Sequence, residues 1–184
     1  MIGIKMQFEP ESFRRYMRAL DRIERVAKAQ MRILPFLCAT DYHHLLIGNL
    51  LSQKFYGQYP RYSPRYAHWK TEVVLKGSQF WLLYGDLVKS ITIFERADRM
   101  TPTRGAWMGG VPAGVHDMGG KSWFGKGDKG KPKPIAMYGR VMEFGLHTHP
   151  DRPLFQPTMR EYVDSGGWKK RGAEALNKIR MAWS

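Results

Sequence analysis

Three prolines within a few residues constrain the C-terminal part of this chain more than any other feature. Pro150, Pro153 and Pro157 follow an apolar-rich segment that ends at Gly145. Each proline ring fixes its own φ and biases the preceding residue towards extended geometry, so the connector is held on one path. A short amphipathic helix is then predicted from Pro157 to Tyr162 or slightly beyond. We therefore expect the block to position one element against another and not to form a reaction centre.

The same block resembles a known family signature. It reads Tyr-x-x-x-x-Glu-Phe-Gly at 138–145 and, after a short gap, His-Pro-x-Arg-Pro-Leu-Phe-x-Pro at 149–157. This pattern resembles the C-terminal signature of tail-completion, or head–tail joining, proteins of tailed bacteriophages. A weaker match, Gly-x-Leu-x-x-Ser-Ile at 85–91, resembles that family's turn-plus-strand entry. The long insert at 99–134 and the extension after Gly166 depart from the family pattern.

The resemblance implies a structural role without catalysis. It implies a virion protein of the phage neck or tail top, made in the host bacterial cytoplasm. Such a protein would form a homo-oligomeric ring, expected to be hexameric, that joins the head connector to the tail around the DNA path. Its partners would be other neck and tail proteins, with possible contact to packaged DNA. The departures leave open whether the position is that of a completion, terminator or head-completion protein.

Periodicity predicts helices in the N-terminal third. Pro10 opens a helix and Glu11 is favourably placed in its first turn. Pro35 interrupts this helix, and Asp41 could cap a second helical segment that ends near Gly57. The predicted buried stripe of the first segment is Phe13, Tyr16, Leu20, Ile23, Ala27 and Leu34. The predicted apolar face of the second segment is Leu45, Leu46, Leu50 and Leu51.

Strands and later helices complete an α+β fold. The predicted strands are Ile2–Phe8, Val88–Arg96 and a short strand near Ala106–Val111. The predicted later helices are Arg65–Leu75 and Trp168–Trp183, the last with Ala173, Leu176, Ile179 and Trp183 on its apolar face. We therefore expect one domain over 1–184, with N-terminal helices packed on a small, mainly antiparallel sheet, a long glycine-rich loop at 99–134 and helices again at the C-terminus.

The charge of the chain indicates a polyanionic partner. A formal net charge of +14 on 184 residues suits nucleic acid, an acidic protein surface or a membrane face, although a basic surface can also serve solubility alone. The most apolar run, Leu45–Leu51, is too short to span a membrane, and no signal peptide is predicted at the N-terminus. This charge supports an alternative function, that of a free-standing basic nucleic-acid-binding protein.

Two basic features carry the predicted contacts with DNA or an acidic partner. The first, called here the arginine stripe, is a single helical face made of Arg14, Arg18, Arg22 and Arg25. It gains stability by meeting phosphates or acidic side chains, because like charges one turn apart repel. The alternative is an ordinary solvent-exposed face whose positive charge is partly balanced by nearby acidic residues. Those acids are Glu11, Asp21 and Glu24.

The second basic feature lies in the glycine-rich loop. Its lysines are Lys121, Lys126, Lys129, Lys131 and Lys133, and Trp123 and Phe124 lie among them. Basic residues around an aromatic pair can grip single-stranded nucleic acid. They can equally form an arm that orders against a neighbouring subunit, with the two rings as anchors. Given the family resemblance, we favour the arm.

The remaining site predictions concern subunit contacts and chemistry. The candidate interface residues are Glu143, Phe144, Arg152, Pro153, Leu154, Phe155, Pro157, Trp123 and Phe124, with Arg152 paired to Glu143 or to a neighbour's carboxylate. The phosphate-loop-like segment at 120–127 lacks the final hydroxyl residue and a following helix. His147 and His149 lack evident further metal ligands, and Cys38 is expected to be a buried hydrophobe. No catalytic, cofactor or metal-binding residue is therefore predicted.

Overall fold

The computed structural model describes residues 9–61, 63–72, 90–95, 105–111, 135–145 and 150–183. Its helices are α1 (Pro10–Leu51), α2 (Pro64–Glu72), α3 (Ile135–Phe144), α4 (Phe155–Asp164) and α5 (Gly167–Met181), with a short 3-10 helix at Tyr56–Gln58. Its strands are β1 (Thr92–Glu95) and β2 (Trp107–Gly110). Helices packed against a small antiparallel sheet confirm the predicted α+β class.

The first helix is longer than the sequence predicts. α1 runs for 42 residues through Pro35, so the predicted interruption at this proline is wrong. Pro35 has no N–H to donate to the carbonyl of Met31, which normally breaks a helix. Packing on both sides of the proline explains why the helix continues. Just before it, the carbonyl of Arg32 meets the segment that enters β2. Just after it, the Phe36 ring lies 4.8 Å, centroid to centroid, from the ring of Trp107.

The hydrophobic core surrounds the C-terminal half of α1. Tyr42, Leu46 and Leu50 are buried on one face of the helix, at the four-residue spacing that a helical turn requires. Leu51, predicted to share this face, is exposed. The other buried members of the core are Phe55, Ile91, Leu154 and Tyr162. The half of α1 that follows Pro35 therefore organises the fold.

The N-terminal half of α1 is far more exposed. Phe13 and Tyr16, the first members of the predicted buried stripe, each keep 51% of their surface exposed. The later members of that stripe are only partly buried. The prediction of a buried stripe is therefore wrong at its start. Periodicity identifies which side of a helix is apolar but not whether another element covers that side.

The last helix, α5, packs along α1 in the antiparallel direction. Near the start of α5, Arg171 pairs with Asp41 in the C-terminal half of α1. Beyond the end of α5, the ring of Trp183 lies 6.3 Å from the ring of Tyr16, edge to face. These two contacts place the ends of the chain's described part side by side.

The face that α5 turns towards α1 differs from the predicted one. Leu176 was predicted to be on the packed face but is 68% exposed, and Ala173 is also exposed. Ala175 is buried instead, with Arg171 and Ile179 half-buried one turn to either side. The ion pair between Arg171 and Asp41 fixes the rotation of the helix, so a charged residue and a small one form the contact face.

The two strands lie against α1. They pair antiparallel with Ile93 opposite Gly109, which confirms strands within the predicted ranges 88–96 and 106–111. A Cβ atom added at Gly105, just before β2, would lie 2.3 Å from the carbonyl oxygen of Arg32. Glycine at this position therefore lets the backbone of the sheet approach the helix closely.

Several sequence predictions fall outside the described residues. They include the strand at Ile2–Phe8, residues Gly85–Lys89 of the weaker family match, and most of the loop at 99–134. The predicted helix at Arg65–Leu75 is confirmed over the described range Pro64–Glu72. Among the described helices, none is long and apolar enough to cross a membrane.

Candidate functional site

The glutamate of the Glu-Phe-Gly block caps the start of α4. α3 ends at Phe144, and Gly145 follows with φ of 69°, a left-handed conformation that glycine adopts easily. Glu143 is 5% exposed, and its carboxylate accepts three backbone N–H bonds, from Leu154 at 2.7 Å, Phe155 at 2.9 Å and Gln156 at 2.7 Å. It thereby satisfies N–H groups that a helix start leaves unpaired, where the helix dipole also favours a negative charge.

The arginine of the proline connector is buried against backbone carbonyls. The backbone N–H of Arg152 donates to the carbonyl of Met142 at 2.6 Å. Its guanidinium Nη2 donates to the carbonyl of Pro60 at 3.2 Å. Nη1 donates to the carbonyl of Pro150 at 3.4 Å. Among the described residues, no ion pair joins Arg152 to Glu143, so the predicted pair is replaced by separate contacts to the backbone. Arg152 thus links α3 and the connector to the segment that follows α1.

Two tyrosines of the α1 region hold the connector from the other side. Tyr59 donates its hydroxyl to the carbonyl of Pro153 at 2.5 Å, and Tyr42 donates to the carbonyl of Phe155 at 3.2 Å. Burial raises the pKa of the Tyr42 hydroxyl well above its usual range, so it stays a neutral donor. We call this arrangement the C-terminal joint; it comprises Glu143, Arg152–Gln156 and their partners Tyr42 and Tyr59.

The joint changes the interpretation of the candidate interface residues. Glu143, Arg152 and Leu154 are buried within their own chain, so they are inaccessible to a neighbouring subunit. Their carboxylate, guanidinium and apolar side chains serve the fold of one chain. Phe144 is 64% exposed and remains available for contact. The half-buried members of the set are Pro153, Phe155 and Pro157.

A polar network that the sequence does not reveal joins α4 to the end of α1. The buried Asn49 amide donates to the Thr158 hydroxyl at 3.2 Å and to the Glu161 carboxylate at 3.0 Å. Lys54 pairs with the other oxygen of Glu161, and its hydrogen bond is the main cause that holds the pKa of this carboxyl below its ordinary value. These residues lie more than a hundred positions apart in the chain, so no local spacing could have indicated the network.

Asp41 also has a role that the sequence did not predict. Predicted as a helix cap, it lies inside α1 and accepts two bonds from the Arg171 guanidinium, at 2.7 Å from Nε and 2.8 Å from Nη2. The Arg171 hydrogen bond is the main cause that lowers the pKa of Asp41. Glu174 holds the same guanidinium through Nη1 at 3.0 Å. This group therefore fixes α5 on α1.

The arginine stripe lies in the exposed N-terminal half of α1, and all four of its side chains are exposed. At 3.6 residues per turn and 1.5 Å per residue, the four positions share one side of the helix over about 16 Å. Phe13 and Tyr16 fall on the opposite side. Arg18 and Arg25 each donate Nε to a backbone carbonyl one turn earlier, at 3.4 Å and 3.3 Å.

Two of the three acids expected to balance the stripe are engaged elsewhere. Glu11 pairs with Arg15 and Glu24 pairs with Lys28, neither of which belongs to the stripe. The hydrogen bond from Lys28 is the main cause that lowers the pKa of Glu24. Within the part of the chain that the structure describes, no carboxylate forms an ion pair with a stripe arginine. Asp21 lies on the same side of the helix as the stripe but forms no ion pair with it, so the stripe is a row of four arginines without an ion-pair partner among the described residues.

The remaining predicted site residues cannot be placed. The lysines of the 121–133 segment, with Trp123 and Phe124, lie outside the described residues, as do His147 and His149. Among the residues that are described, no group of His, Cys, Asp or Glu could hold a metal ion. Cys38, expected to be a buried hydrophobe, is half-buried and packs against the core.

Comparison of the chain with protein-family models, curated proteins and solved structures returned no match. Within the structure, the basis for a functional inference is therefore the geometry of the joint and the stripe. The joint consists of buried contacts within one chain, whereas the stripe is an open surface. Of the two, only the stripe can meet a partner directly.

Proposed function

We propose that this chain is a structural protein of a tailed-bacteriophage virion, placed at the neck or tail top. In this proposal, identical copies form a ring, expected to contain six subunits, that joins the head connector to the tail around the DNA path. The chain acts through its surfaces, with no catalytic role and no cofactor. Its neighbours are other neck and tail proteins, and it reaches the virion after synthesis in the bacterial cytoplasm.

The observation that carries this proposal is the coincidence of the signature with the joint. The residues through which the chain resembles tail-completion proteins include Glu143, Arg152 and Leu154, which are also the buried centre of the joint. They fix the direction in which α4 leaves the connector. A ring closes only when every subunit repeats the same rotation, so a subunit needs its helices in one fixed orientation. A signature that encodes such a joint suits a ring protein.

Exposed apolar side chains supply surfaces for the proposed subunit contacts. Phe144 projects beside the joint, and Phe13, Met17 and Trp183 are exposed where the start of α1 meets the end of α5. Large exposed apolar groups that cluster in this way commonly mark interaction sites. We assign them to contacts with neighbouring copies or neck proteins, in place of the buried residues of the joint.

The proposal is tested first by locating the protein. Mass spectrometry of purified phage particles should find the chain at a ring-like copy number, and negative-stain images of the concentrated full-length protein should contain rings. A Phe144→Ser variant should assemble less well than a Leu51→Ser variant, since both residues are exposed but only Phe144 adjoins the joint. Absence of the chain from particles, together with a monomer at every concentration, would refute the neck assignment.

A second candidate is a free-standing nucleic-acid-binding protein. The net charge of +14 and the exposed stripe, which forms no ion pair among the described residues, favour it. This candidate predicts tight DNA binding by the isolated protein at physiological salt and no association with virion components. A chain found in mature particles at fixed copy number would exclude it.

A further inference from the structure

Of the described surfaces, the arginine stripe has the charge pattern that most clearly suits an anionic ligand. It presents four guanidinium groups on one side of a rigid helix, all exposed and none ion-paired with a described carboxylate. From this we propose that the stripe binds the phosphate backbone of duplex DNA without reading its sequence. The identification of packaged DNA as the natural partner rests on the proposed neck function. The proposed binding of duplex DNA does not depend on that function.

The dimensions of the stripe fit a phosphate backbone. Neighbouring stripe positions lie about 4.5 to 6 Å apart along the helix axis, and the row is about 16 Å long. One DNA strand carries a phosphate about every 3.4 Å of duplex axis, so the spacing of the stripe is of the same order as that of successive phosphates. The planar guanidinium can bind a phosphate through two parallel N–H bonds. A periodic row of fixed positive charge therefore matches a periodic polyanion better than an irregular acidic protein surface.

The surroundings of the stripe favour duplex over single-stranded DNA. Single strands are held largely by base stacking on aromatic side chains. The aromatic residues of this part of α1, Phe13 and Tyr16, lie on the side of the helix opposite the stripe. Phosphate contacts position a protein on DNA but carry no sequence information. We therefore expect the stripe to bind duplexes of any sequence and to gain little from unstacked bases.

The opposite placement of these two surfaces also suggests how the N-terminal half of α1 is oriented in a ring. Phe13 and Tyr16 are each about half exposed on the apolar side of α1, whereas the stripe lies on the opposite side. A chain in a ring can then use one side of the same helix for a subunit contact and the other for DNA. In the proposed ring, we therefore assign the stripe to the surface that faces the DNA.

The test uses the purified full-length chain and fluorescence anisotropy. A labelled random-sequence duplex of about 30 base pairs is titrated at several salt concentrations between about 50 and 300 mM, so that the salt slope counts the neutralised phosphates. The stripe variant combines Arg14→Gln, Arg18→Gln, Arg22→Gln and Arg25→Gln. The matched control removes four exposed charges from α5, through Lys169→Gln, Lys170→Gln, Lys178→Gln and Arg180→Gln. Circular dichroism checks that both variants keep their helices.

The expected result separates the stripe from general positive charge. The stripe variant should lose about three units of salt slope and roughly a hundredfold in affinity at physiological salt, and the control much less. Equal losses in both variants would overturn the proposal, because net charge alone would then explain binding. Tighter binding to a single strand of the same sequence would also overturn it, as would stripe-dependent binding of polyglutamate with none of duplex DNA.

The outcome is independent of the particle test. Stripe-dependent duplex binding by a chain that is absent from virions would refute the neck assignment and leave the inference standing. A chain present in virions whose duplex binding does not depend on the stripe would overturn the inference and leave the neck assignment standing. The decisive measurement for the inference is thus the difference in salt slope between the stripe variant and its α5 control.

Discussion

In the C-terminal joint, the charged groups of Glu143 and Arg152 are buried and hydrogen-bonded to backbone atoms of their own chain. In the arginine stripe, by contrast, the four guanidinium groups are exposed to solvent and form no ion pair with a described carboxylate. Both regions belong to the same packed unit, since Tyr42 of α1 reaches the joint from the helix that carries the stripe. The charges of the joint are hydrogen-bonded within the protein, whereas those of the stripe are hydrated by solvent. Mutations in the two regions should therefore affect different properties, stability in the joint and binding in the stripe.

The difference shows how to separate folding residues from binding residues in this chain. A buried charge is tolerated only when hydrogen bonds replace its lost hydration, which the three N–H groups around Glu143 provide. Exposed charges keep their hydration and add little to stability. Substitutions in the joint should therefore lower the free energy of unfolding, and substitutions in the stripe should change only binding.

The largest expected effect is that of Glu143→Ala. Removing the carboxylate leaves three backbone N–H groups at the start of α4 without their acceptor in a buried place, so we expect a loss of about 3 kcal/mol in the free energy of unfolding. Urea denaturation followed by circular dichroism measures this loss. Glu143→Gln, which keeps one acceptor oxygen, should lose less, and Glu11→Ala in the exposed N-terminal half of α1 should lose very little. If Glu143→Ala were as stable as Glu11→Ala, the contrast between joint and stripe would fail.

The next largest effect is expected at the boundary between the two halves of α1. Gly105→Ala would place a Cβ 2.3 Å from the carbonyl oxygen of Arg32, so the entry to β2 must move away from the helix. Overpacking of this kind costs about 1 to 3 kcal/mol, again measured by urea denaturation. Gly110→Ala is the matched control, since a Cβ there meets nothing within 4 Å. Equal stability of the two variants would mean that the sheet does not support α1 near Pro35.

A smaller effect with a defined pH dependence is expected at Asp41. The bond from Arg171 lowers the pKa of Asp41 below its ordinary value of 3.8, so this carboxylate stabilises the folded state when it is ionised. The stabilisation is fully present above the unfolded pKa and is lost as pH falls through the lower folded pKa. Asp41→Asn should therefore reduce the urea midpoint at pH 7, although by less than Gly105→Ala does. In strong acid, where Asp41 is protonated, the difference in midpoint from the natural protein should vanish. A difference that persists there would assign the effect to packing and not to charge.

The sequence predicted some elements well, and particular residues show why. The strands within 88–96 and 106–111 and the helix that begins near Pro157 follow from local apolar patterns and proline geometry, which tertiary contacts here reinforce. The prediction of two N-terminal helices was wrong because Phe36 and Gly105 brace the chain on either side of Pro35, and neither contact has a local signal.

The candidate site was only partly accessible to sequence reasoning for the same physical reason. The stripe was identified from spacing alone, because its members lie within twelve positions on one helix. The role of Glu143 could not be derived, since its three partners lie across the connector and depend on how α3 and α4 meet. Composition likewise could not show that Arg171, and not Leu176, faces α1.

The smallest expected change in stability is that of the stripe itself. Replacing Arg14, Arg18, Arg22 and Arg25 together by Gln removes like charges one turn apart and breaks no described ion pair, so the free energy of unfolding should stay within about 0.5 kcal/mol or rise slightly. Urea denaturation at low salt, where repulsion is least screened, gives the most sensitive measurement. Arg171→Gln is the informative contrast, because it removes one charge but breaks the pair that holds α5 on α1. If four stripe substitutions lowered stability more than this single one, the stripe would be part of the fold and not a free surface.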